Sequence, residues 1–194
     1  TTICTAQDGT TTTTYTLTVT RAAQAAPGDY DPSFNPNSNG RITALATQAD
    51  GRVLIGGAFI NIAGDARDYL ARPNTHGSLA ASFAPNVNNL VYAIAVQSDG
   101  KVIIGGIFSS VNSTQRHQIA RLNGDGTLDT SFNPSANDSV YTLIVQSDGK
   151  IILGGQFTSI GGIGRSRIGR VNADGTPDTG FNPSADNSVY ALTE

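Results

Sequence analysis

Residues 146–157 read QSDGKIILGGQF, and closely similar strings stand at residues 97–108, QSDGKVIIGGIF, and at residues 48–59, QADGRVLIGGAF. These strings are 49 residues apart, and the same spacing separates Phe34, Phe83, Phe132 and Phe181. Internal repeats of this length indicate an array of one supersecondary unit, because a single unit cannot bury both of its apolar faces alone. The repeat therefore decides the architecture, although it names no ligand and no reaction.

The sequence pattern of each repeat predicts antiparallel strands. In the third repeat an apolar run at residues 139–146 ends at a Ser-Asp-Gly turn, and residues 150–154 form its hairpin partner. A glycine pair follows, which predicts a bulge or a close approach of backbones. A third strand at residues 168–172 then turns into a short fourth strand that ends at Phe181. The sequence therefore predicts an all-β fold, a partial β-propeller of about three four-stranded blades with an N-terminal β-hairpin.

The repeat resembles the delta-60 repeat of bacterial β-propellers. The resemblance covers residues 28–194 and rests on the motifs Asp129-Thr-Ser-Phe-Asn-Pro134, Ser139-Val-Tyr141, Gln146-Ser-Asp-Gly-Lys-Ile151, Gly154-Gly-Gln-Phe157 and Arg170-Val-Asn-Ala-Asp-Gly175. The family implies a β-propeller fold and a cell-surface or secreted setting, and it carries no established catalytic residues. The first repeat departs from the pattern, since Pro73 stands in its third strand and Ala80 replaces the aspartate of the later repeats.

The chain is predicted to have two parts. Residues 1–26 form a Thr-rich β-hairpin and a linker, in which strict alternation places Tyr15, Leu17 and Val19 on one strand face. This segment resembles the last strands of a cadherin-like β-sandwich module. Residues 27–194 form the repeats, with a blade remnant at 28–36, repeats at about 37–85, 86–134 and 135–183, and the start of another blade at 184–194.

Three complete repeats are fewer than the roughly four to eight blades of a closed propeller. Two alternatives follow. The chain is a fragment of a longer propeller, or copies of it self-associate to cover the exposed blade edges. Head-to-tail association would give a ring if it closes and a filament if it does not. The sequence does not choose between these alternatives.

Composition restricts the partners. Charged residues make up 14% of the chain, its net charge is -3 and its 12 Lys and Arg residues are scattered, which predicts no nucleic-acid partner. No apolar run approaches about 18 residues, so we predict no membrane insertion. The 22 glycines and the absence of Met and Trp are typical of extracellular or bacterial cell-surface repeat proteins. The single cysteine, Cys4, excludes an internal disulfide, and we expect it to be a small buried residue.

Loops at one end of the blades are the predicted binding surface. Propeller connections alternate between two ends, and the longer connections of this chain fall at the same end. Their polar side chains suit hydrogen bonding to a protein or glycan ligand, and ordinary loop composition is the competing interpretation. The candidate binding residues are Asn61, Asp65, Arg67, Asn112, Arg116, Asn137, Asp138, Arg165, Asp186 and Asn187.

The pattern Asn-x-Asp-Gly-x-x-Asp in two repeats echoes the oxygen spacing of calcium loops. The candidate calcium ligands are Asn123, Asp125, Asp129, Asn172, Asp174 and Asp178. The competing interpretation is a turn stabilised by its own Asn and Asp side chains, and the sequence favours it because the bidentate glutamate is missing. We therefore expect no cofactor, with calcium as the alternative.

Arg121 and Arg170, inside third strands, are expected to pair with Asp129 and Asp178.

The sequence contains no catalytic constellation. His76 and His117 occupy unrelated positions in their repeats, and neither a serine nucleophile motif nor a His/Cys cluster is present. We therefore expect no enzymatic activity. The sequence predicts a non-enzymatic extracellular scaffold for adhesion or for protein or glycan binding. The alternative is a structural subunit that polymerises through its exposed blade edges and its N-terminal strands.

Overall fold

The structure is a computed structural model, and it describes residues 2–7, 12–17, 34–74 and 76–193. Every regular element among these residues is a β-strand, which confirms the all-β fold. The chain divides into two compact units, Thr1–Pro32 and Ser33–Glu194. The predicted boundary between residues 26 and 27 lies in the first unit, outside the described residues.

The first unit contains an antiparallel hairpin. Its strands are β1 (Thr2–Gln7) and β2 (Thr12–Leu17), with Cys4 opposite Tyr15. The hairpin was predicted from the threonine-rich alternation, which favours an extended backbone because β-branched residues fit a pleated strand. The turn at residues 8–11, Val19 and the predicted linker lie outside the described residues.

Three blades of one plan form the second unit. Their strands, in chain order, are β3 (Ile42–Thr47), β4 (Val53–Gly57), β5 (Asn61–Ile62), β6 (Asp65–Ala66), β7 (Leu70–Ala71), β8 (Val91–Val96), β9 (Val102–Gly106), β10 (Ser110–Val111), β11 (Thr114–Gln115), β12 (Ile119–Leu122), β13 (Val140–Val145), β14 (Ile151–Gly155), β15 (Ser159–Ile160), β16 (Ile163–Gly164) and β17 (Ile168–Val171). Each blade is a three-stranded antiparallel sheet with its second strand in the middle, such as β13-β14-β17. The pairs β5 with β6, β10 with β11 and β15 with β16 form small hairpins between the second and third blade strands.

The predicted fourth strand is reduced to a single bridge. In the second repeat Leu128 pairs with Leu122, the last residue of β12, and the same bridge recurs in the other two repeats. The backbone turns directly after the bridge in every repeat. In the second repeat the N–H of Phe132 donates to the carbonyl oxygen of Asp129 at 3.4 Å, and the same turn forms in the first repeat, where Ala80 replaces the aspartate. Each blade therefore has three strands and a one-residue fourth position, where the sequence predicted four strands.

The glycine pairs lie where backbones approach closely. The pairing of β8 with β9 shifts register directly after Val91, opposite Gly105 and Gly106, and the shift recurs in the other two blades. A Cβ on Gly106 would lie 2.1 Å from the carbonyl oxygen of Leu90. A Cβ on Gly105 would lie 2.7 Å from Cγ1 of Val140 in the next blade. Both positions need a residue without a side chain, which confirms the predicted bulge and close approach.

Apolar side chains fill the space between neighbouring blades. Alternate residues of β9 face opposite neighbouring blades. Ile104 shares a buried cluster with Leu54 of the first blade. Ile103 instead shares a buried cluster with Leu153 of the third blade. Burial on both faces explains why each second strand is a continuous apolar run rather than an alternating one.

The two ends of the array differ. On the first blade Leu45 is 64% exposed and Ile42 is 41% exposed, whereas Val91, which is equivalent to Ile42, is fully buried. We call this side of the first blade, with Ile42 and Leu45, the uncovered face. Beyond the third blade, Val189 lies against Gly154 as Val140 lies against the second blade. Val189 is therefore placed like the first-strand residue Val140, but residues 184–193 form no strand, and the start of another blade stays a prediction.

Candidate functional site

The long connections of the repeats meet at one end of the blades. They are the loops at residues 60–68, 109–117 and 158–167, and the segments entering each blade at residues 35–40, 85–89, 134–138 and 183–187. Bridges join the two kinds of connection, Val87 with Val111 and Ala136 with Ile160. We call the surface formed by these connections the long-loop end, and its role as one binding surface stays a prediction.

Asn137, a predicted ligand-binding residue, holds the long-loop end together. Its Oδ1 accepts the N–H groups of Thr158 and Ser159 at 2.8 and 2.9 Å, and its Nδ2 donates to the Thr158 hydroxyl at 2.8 Å. Asn39 and Asn88 make the equivalent pair of backbone hydrogen bonds in the other repeats. The amide of Asn137 is therefore used within the fold, a role that sequence reasoning missed because asparagine suits a ligand equally well.

The arginines that follow the small hairpins make similar internal contacts. Arg116 is 5% exposed, and its guanidinium donates to the carbonyl oxygens of Gln115 at 2.7 Å and Thr130 at 3.1 Å. Arg165 is equally buried and makes equivalent contacts in the third repeat. Arg67 donates to the carbonyl oxygen of the preceding residue at 2.8 Å. These arginines anchor the small hairpins, so the two buried ones present no charge to a ligand.

The other candidate binding residues are dispersed. Asp138 and Asn187 each accept the backbone N–H of the next residue, at 2.6 and 2.7 Å. Asp65 and Asp186 are exposed, and Asn61 is half-buried. These residues belong to different repeats, so the structure does not bring the predicted binding residues into one site.

Two clefts lie at equivalent positions of the first and third repeats. Each is bordered by the tip of the small hairpin, the turn after the third strand and the segment that enters the blade. The third-repeat cleft has a volume of about 280 Å³ and is lined by Ser131, Asn133, Pro134, Gly161, Asp174, Gly175, Thr176 and Pro177. The first-repeat cleft has a volume of about 410 Å³ and is lined by Asn35, Asn37, Ala63, Gly64, His76, Gly77 and Ser78.

Asn112 spans the equivalent position in the second repeat. Its Oδ1 accepts the N–H of Asn86 at 2.8 Å, and its Nδ2 donates to the carbonyl oxygen of Gly126 at 3.4 Å. These partners belong to the entering segment and to the turn, which are the two walls of the cleft. Ala63 and Gly161 stand at this position in the other repeats, and neither has a side chain that can make either bond. The sequence signals for this difference were the variation at this position and Ala84, which stands where Asn35 and Asn133 stand in the other repeats.

Ion pairs stabilise the second and third blades, and the arginine–aspartate pair of the second blade is buried. Oδ2 of Asp129 accepts hydrogen bonds from Lys101 Nζ at 2.8 Å and from Arg121 Nε at 2.9 Å. The Arg121 guanidinium also lies over the Phe132 ring, 4.4 Å from its centroid. Burial opposes ionisation of Asp129, but hydrogen bonds from its neighbours, that of Lys101 first, outweigh burial and hold the pKa of this carboxyl well below its usual value. The predicted arginine–aspartate pairing is confirmed here and in the third repeat.

The first repeat lacks this pair because Ala80 replaces the aspartate. Arg72 is nevertheless only 5% exposed, and it donates to Gln48 Oε1 at 3.3 Å and to the Gly124 carbonyl oxygen at 2.7 Å. Its guanidinium stacks over the Phe83 ring, 4.4 Å from the centroid. Burial lowers the pKa of Arg72, which is the expected direction for a cation without a facing carboxylate.

The predicted calcium ligands make other contacts. Oδ1 of Asp125 accepts the N–H and hydroxyl of Thr127 at 2.9 and 2.7 Å, and Nδ2 of Asn123 donates to the same hydroxyl at 2.9 Å. Asn172 and Asp174 repeat this arrangement. Such hydrogen bonds hold the pKa of both aspartates below its usual value. No group of three or more His, Cys, Asp or Glu side chains in the described part of the chain is placed to hold a metal ion. The contacts favour the metal-free turn, and calcium binding stays a prediction.

A row of tyrosines crosses the blades. Tyr92, Tyr141 and Tyr190 occupy equivalent repeat positions, with ring centroids 5.4 Å apart in the first pair and 5.0 Å apart in the second. The hydroxyl of Tyr141 donates to Gln156 Oε1 at 2.7 Å. Sequence reasoning missed this row, although the 49-residue spacing contained it, because one tyrosine in a strand does not reveal its neighbours across blades.

Three segments of the chain, residues 48–83, 97–132 and 146–181, match the sequence model of the family described as Domain of unknown function (DUF5122) beta-propeller. Together they cover more than half of the 194 residues. The chain belongs to this family. Each DUF5122 segment begins just before the Asp-Gly turn and ends at the phenylalanine that closes the repeat. One DUF5122 segment therefore contains the small hairpin and the turn that border each cleft.

The DUF5122 match confirms the β-propeller repeat, while the cadherin-like resemblance of residues 1–26 stays a prediction. A search of curated proteins finds no match to the chain. Within residues 2–7, 12–17, 34–74 and 76–193, no helix is long and apolar enough to cross a membrane.

Proposed function

We propose that this chain is a non-enzymatic β-propeller scaffold, exposed outside the cell or on a bacterial surface, that binds a protein or glycan ligand through its loops. The observation that carries the proposal is the recurrence of an open polar cleft in two of the repeats. Internal hydrogen bonds of Asn137 and Arg116 keep the neighbouring loops rigid. Loops held on a rigid scaffold are where binding residues concentrate, and a preformed cleft avoids the entropic cost of ordering.

The two aspartates paired with lysines in the second and third blades are not suited to act as general acids. A general acid needs a carboxyl whose pKa is raised toward neutrality. The carboxyls of Asp129 and Asp178 have lowered pKa values, because Lys101 and Lys150 donate hydrogen bonds to them inside the blades. These acids are therefore held ionised in structural contacts.

The proposal is tested by titrating the full chain onto an array of immobilised neutral and acidic glycans, with parallel samples in calcium and in EGTA. We expect saturable binding that is the same in both samples, because the turn aspartates already have protein partners. Binding that disappears in EGTA would restore the calcium loops as part of the site. A complete lack of saturable binding to every glycan would contradict the glycan form of the proposal.

The second candidate function is self-assembly, and the uncovered face favours it. Ile42 and Leu45 occupy the positions that Val91 and Ile94 hold in the second blade, where both side chains lie against Gly56 of the first blade. Apolar residues of this kind are normally covered by another sheet. Two copies joined head to tail would supply about six blades, a number that closed propellers use.

Replacing Leu45 by aspartate is expected to weaken such self-association on the order of tenfold or more, because a charge would replace a side chain that the neighbouring blade buries. Sedimentation velocity over a range of protein concentrations measures the effect. The matched control is Ile60→Asp, since Ile60 is 56% exposed but lies in a loop outside the uncovered face. Equal sedimentation of the original chain and the Leu45→Asp variant at all concentrations would exclude assembly through this face.

A further inference from the structure

The side chain at the tip of the small hairpin distinguishes the spanned cleft from the two open ones. The residue at the tip of the small hairpin is Ala63 in the first repeat, Asn112 in the second and Gly161 in the third. Its backbone has the same left-handed conformation in all three, with φ of 56°, 49° and 56°. The φ of this residue therefore does not distinguish the clefts, whereas its side chain does. The entering segment also differs, since Ala84 stands where Asn35 and Asn133 stand in the other repeats.

Asparagine is well suited to this position. It is among the residues that tolerate positive φ, because its short polar side chain can hydrogen-bond locally. The amide of Asn112 makes both of its bonds across the cleft, to the N–H of Asn86 and to the carbonyl oxygen of Gly126. A ligand would have to break both bonds to enter, so the second repeat is closed whereas the other two are accessible.

The chemistry shared by the two open clefts indicates their ligand. Both are lined by an amide side chain, Asn35 or Asn133. The hydroxyls of Ser78 and Thr176 also border the clefts, but each already accepts a hydrogen bond from an asparagine of its own turn. The clefts differ in charge, because one contains a histidine where the other contains the carboxylate of Asp174. The group common to both is an amide, which donates and accepts hydrogen bonds, so a ligand taken by both clefts does not depend on an ionic contact.

The size and the walls of the clefts restrict the class of ligand further. Volumes of about 280 and 410 Å³ lie at the lower end of the range for small-molecule sites, which suits one ring rather than a long chain. In the third repeat the rings of Pro134 and Pro177 add an apolar wall beside the polar groups. A pyranose unit, with hydroxyls at its rim and C–H groups on its face, fits both features.

We infer that the first-repeat and third-repeat clefts each bind one neutral hexose unit of a glycan, and that the side chain at position 63, 112 or 161 gates this binding. The inference rests on the proposed glycan-binding function and assigns it to defined places. The first and third repeats accordingly each have one sugar site, and the second repeat has none because Asn112 spans its cleft.

The test uses ¹H–¹⁵N spectra of the full chain titrated with the methyl glycosides of glucose, galactose and mannose. We expect saturable shifts of the Ser78 and Thr176 amides with at least one glycoside, and no comparable shift of Thr127 in the second repeat. In the Ala63→Asn variant the Ser78 shift should weaken at least tenfold in apparent affinity while the Thr176 shift is unchanged. In a variant that combines Asn112→Gly with Ala84→Asn, which supplies the amide of the other two clefts, a new saturable shift should develop at Thr127.

The control variant is Ala66→Asn, which places the same side chain on the same small hairpin but not in the cleft lining. Unchanged dispersion of the spectra shows that each variant is folded. Ser78 shifts that persist in Ala63→Asn overturn the gate and leave the proposed function standing. Saturable glycoside shifts of other loop amides would place the sugar site elsewhere. That result overturns this inference but not the proposed function. A lack of saturable shifts with all three glycosides overturns the inference, and glycan-array binding then shows whether the proposed function fails with it.

Discussion

Replacing Gly106 by alanine is expected to lower the free energy of unfolding by about 3 kcal/mol, the upper end of the usual cost of overpacking. The new Cβ would lie 2.1 Å from the carbonyl oxygen of Leu90, closer than any real contact, and that oxygen belongs to the backbone. Relief therefore requires a shift of a whole strand rather than of a side chain. Urea unfolding followed by circular dichroism measures the change.

The matched control is Gly164→Ala. A Cβ at Gly164 would meet nothing within 4 Å, so this variant is expected to be unchanged or slightly more stable, because alanine restricts the unfolded chain. Gly105→Ala provides a second comparison, since its Cβ would meet the Val140 side chain at 2.7 Å. Combining it with Val140→Ala should recover part of the loss, whereas no side-chain truncation should rescue Gly106→Ala. Equal stability of the Gly106→Ala and Gly164→Ala variants would contradict this account of the glycine pair.

Replacing Asp129 by asparagine is expected to cost about 2 kcal/mol at pH 7. The change leaves the guanidinium of Arg121, whose side chain is 9% exposed, without its carboxylate partner. The cost stays below that of a fully buried pair because the Lys101 side chain is 33% exposed and can turn to solvent. Chemical unfolding at pH 7 measures the loss, with Asp186→Asn, a change at an exposed aspartate, as the control.

The same variant has a defined pH dependence. The pKa of the Asp129 carboxyl is lowered in the folded chain, so its stabilising contribution is complete above the usual aspartate pKa of about 4 and is lost as the pH falls below it. The difference in unfolding free energy between the original chain and Asp129→Asn should therefore be largest at pH 7 and smaller at about pH 2.5. A difference that stays constant between these pH values would show that ionisation of Asp129 does not stabilise the fold.

The reciprocal change is Ala80→Asp, which would place a carboxylate beside the buried Arg72 as in the other repeats. It is expected to raise the unfolding free energy by about 1 kcal/mol, because Arg72 would gain a charged hydrogen-bond partner. Arg52 stands at the position of Lys101 and could complete the arrangement. If Ala80→Asp destabilises the chain, the pairing in the later repeats does not transfer to the first.

Much of the fold could be predicted because its signals are local. The Asp-Gly turns and the apolar second strands are visible in short stretches of sequence, and the 49-residue period is visible when such stretches are compared. The structure has the corresponding blades. The glycine pairs also predicted the bulge and the close approach of backbones that the structure shows. The fourth strand was wrong as a full strand because the backbone turns after one bridge in every repeat. The N–H of the closing phenylalanine bonds to the carbonyl oxygen three residues earlier, and strand patterns do not reveal where such a turn begins.

The binding residues were harder to predict, because a polar residue in a loop has the same appearance whether it binds a ligand or the fold. Asn137 bonds to a backbone 21 residues away and Arg121 reaches a carbonyl oxygen 52 residues away. Sequence alone determined the repeat, the strand order within it and the need for glycine at the close approaches, since these follow from neighbouring residues. Only the tertiary structure decided which polar groups are already used and which cleft Asn112 spans, because hydrogen bonds between distant segments exist only once the blades are packed.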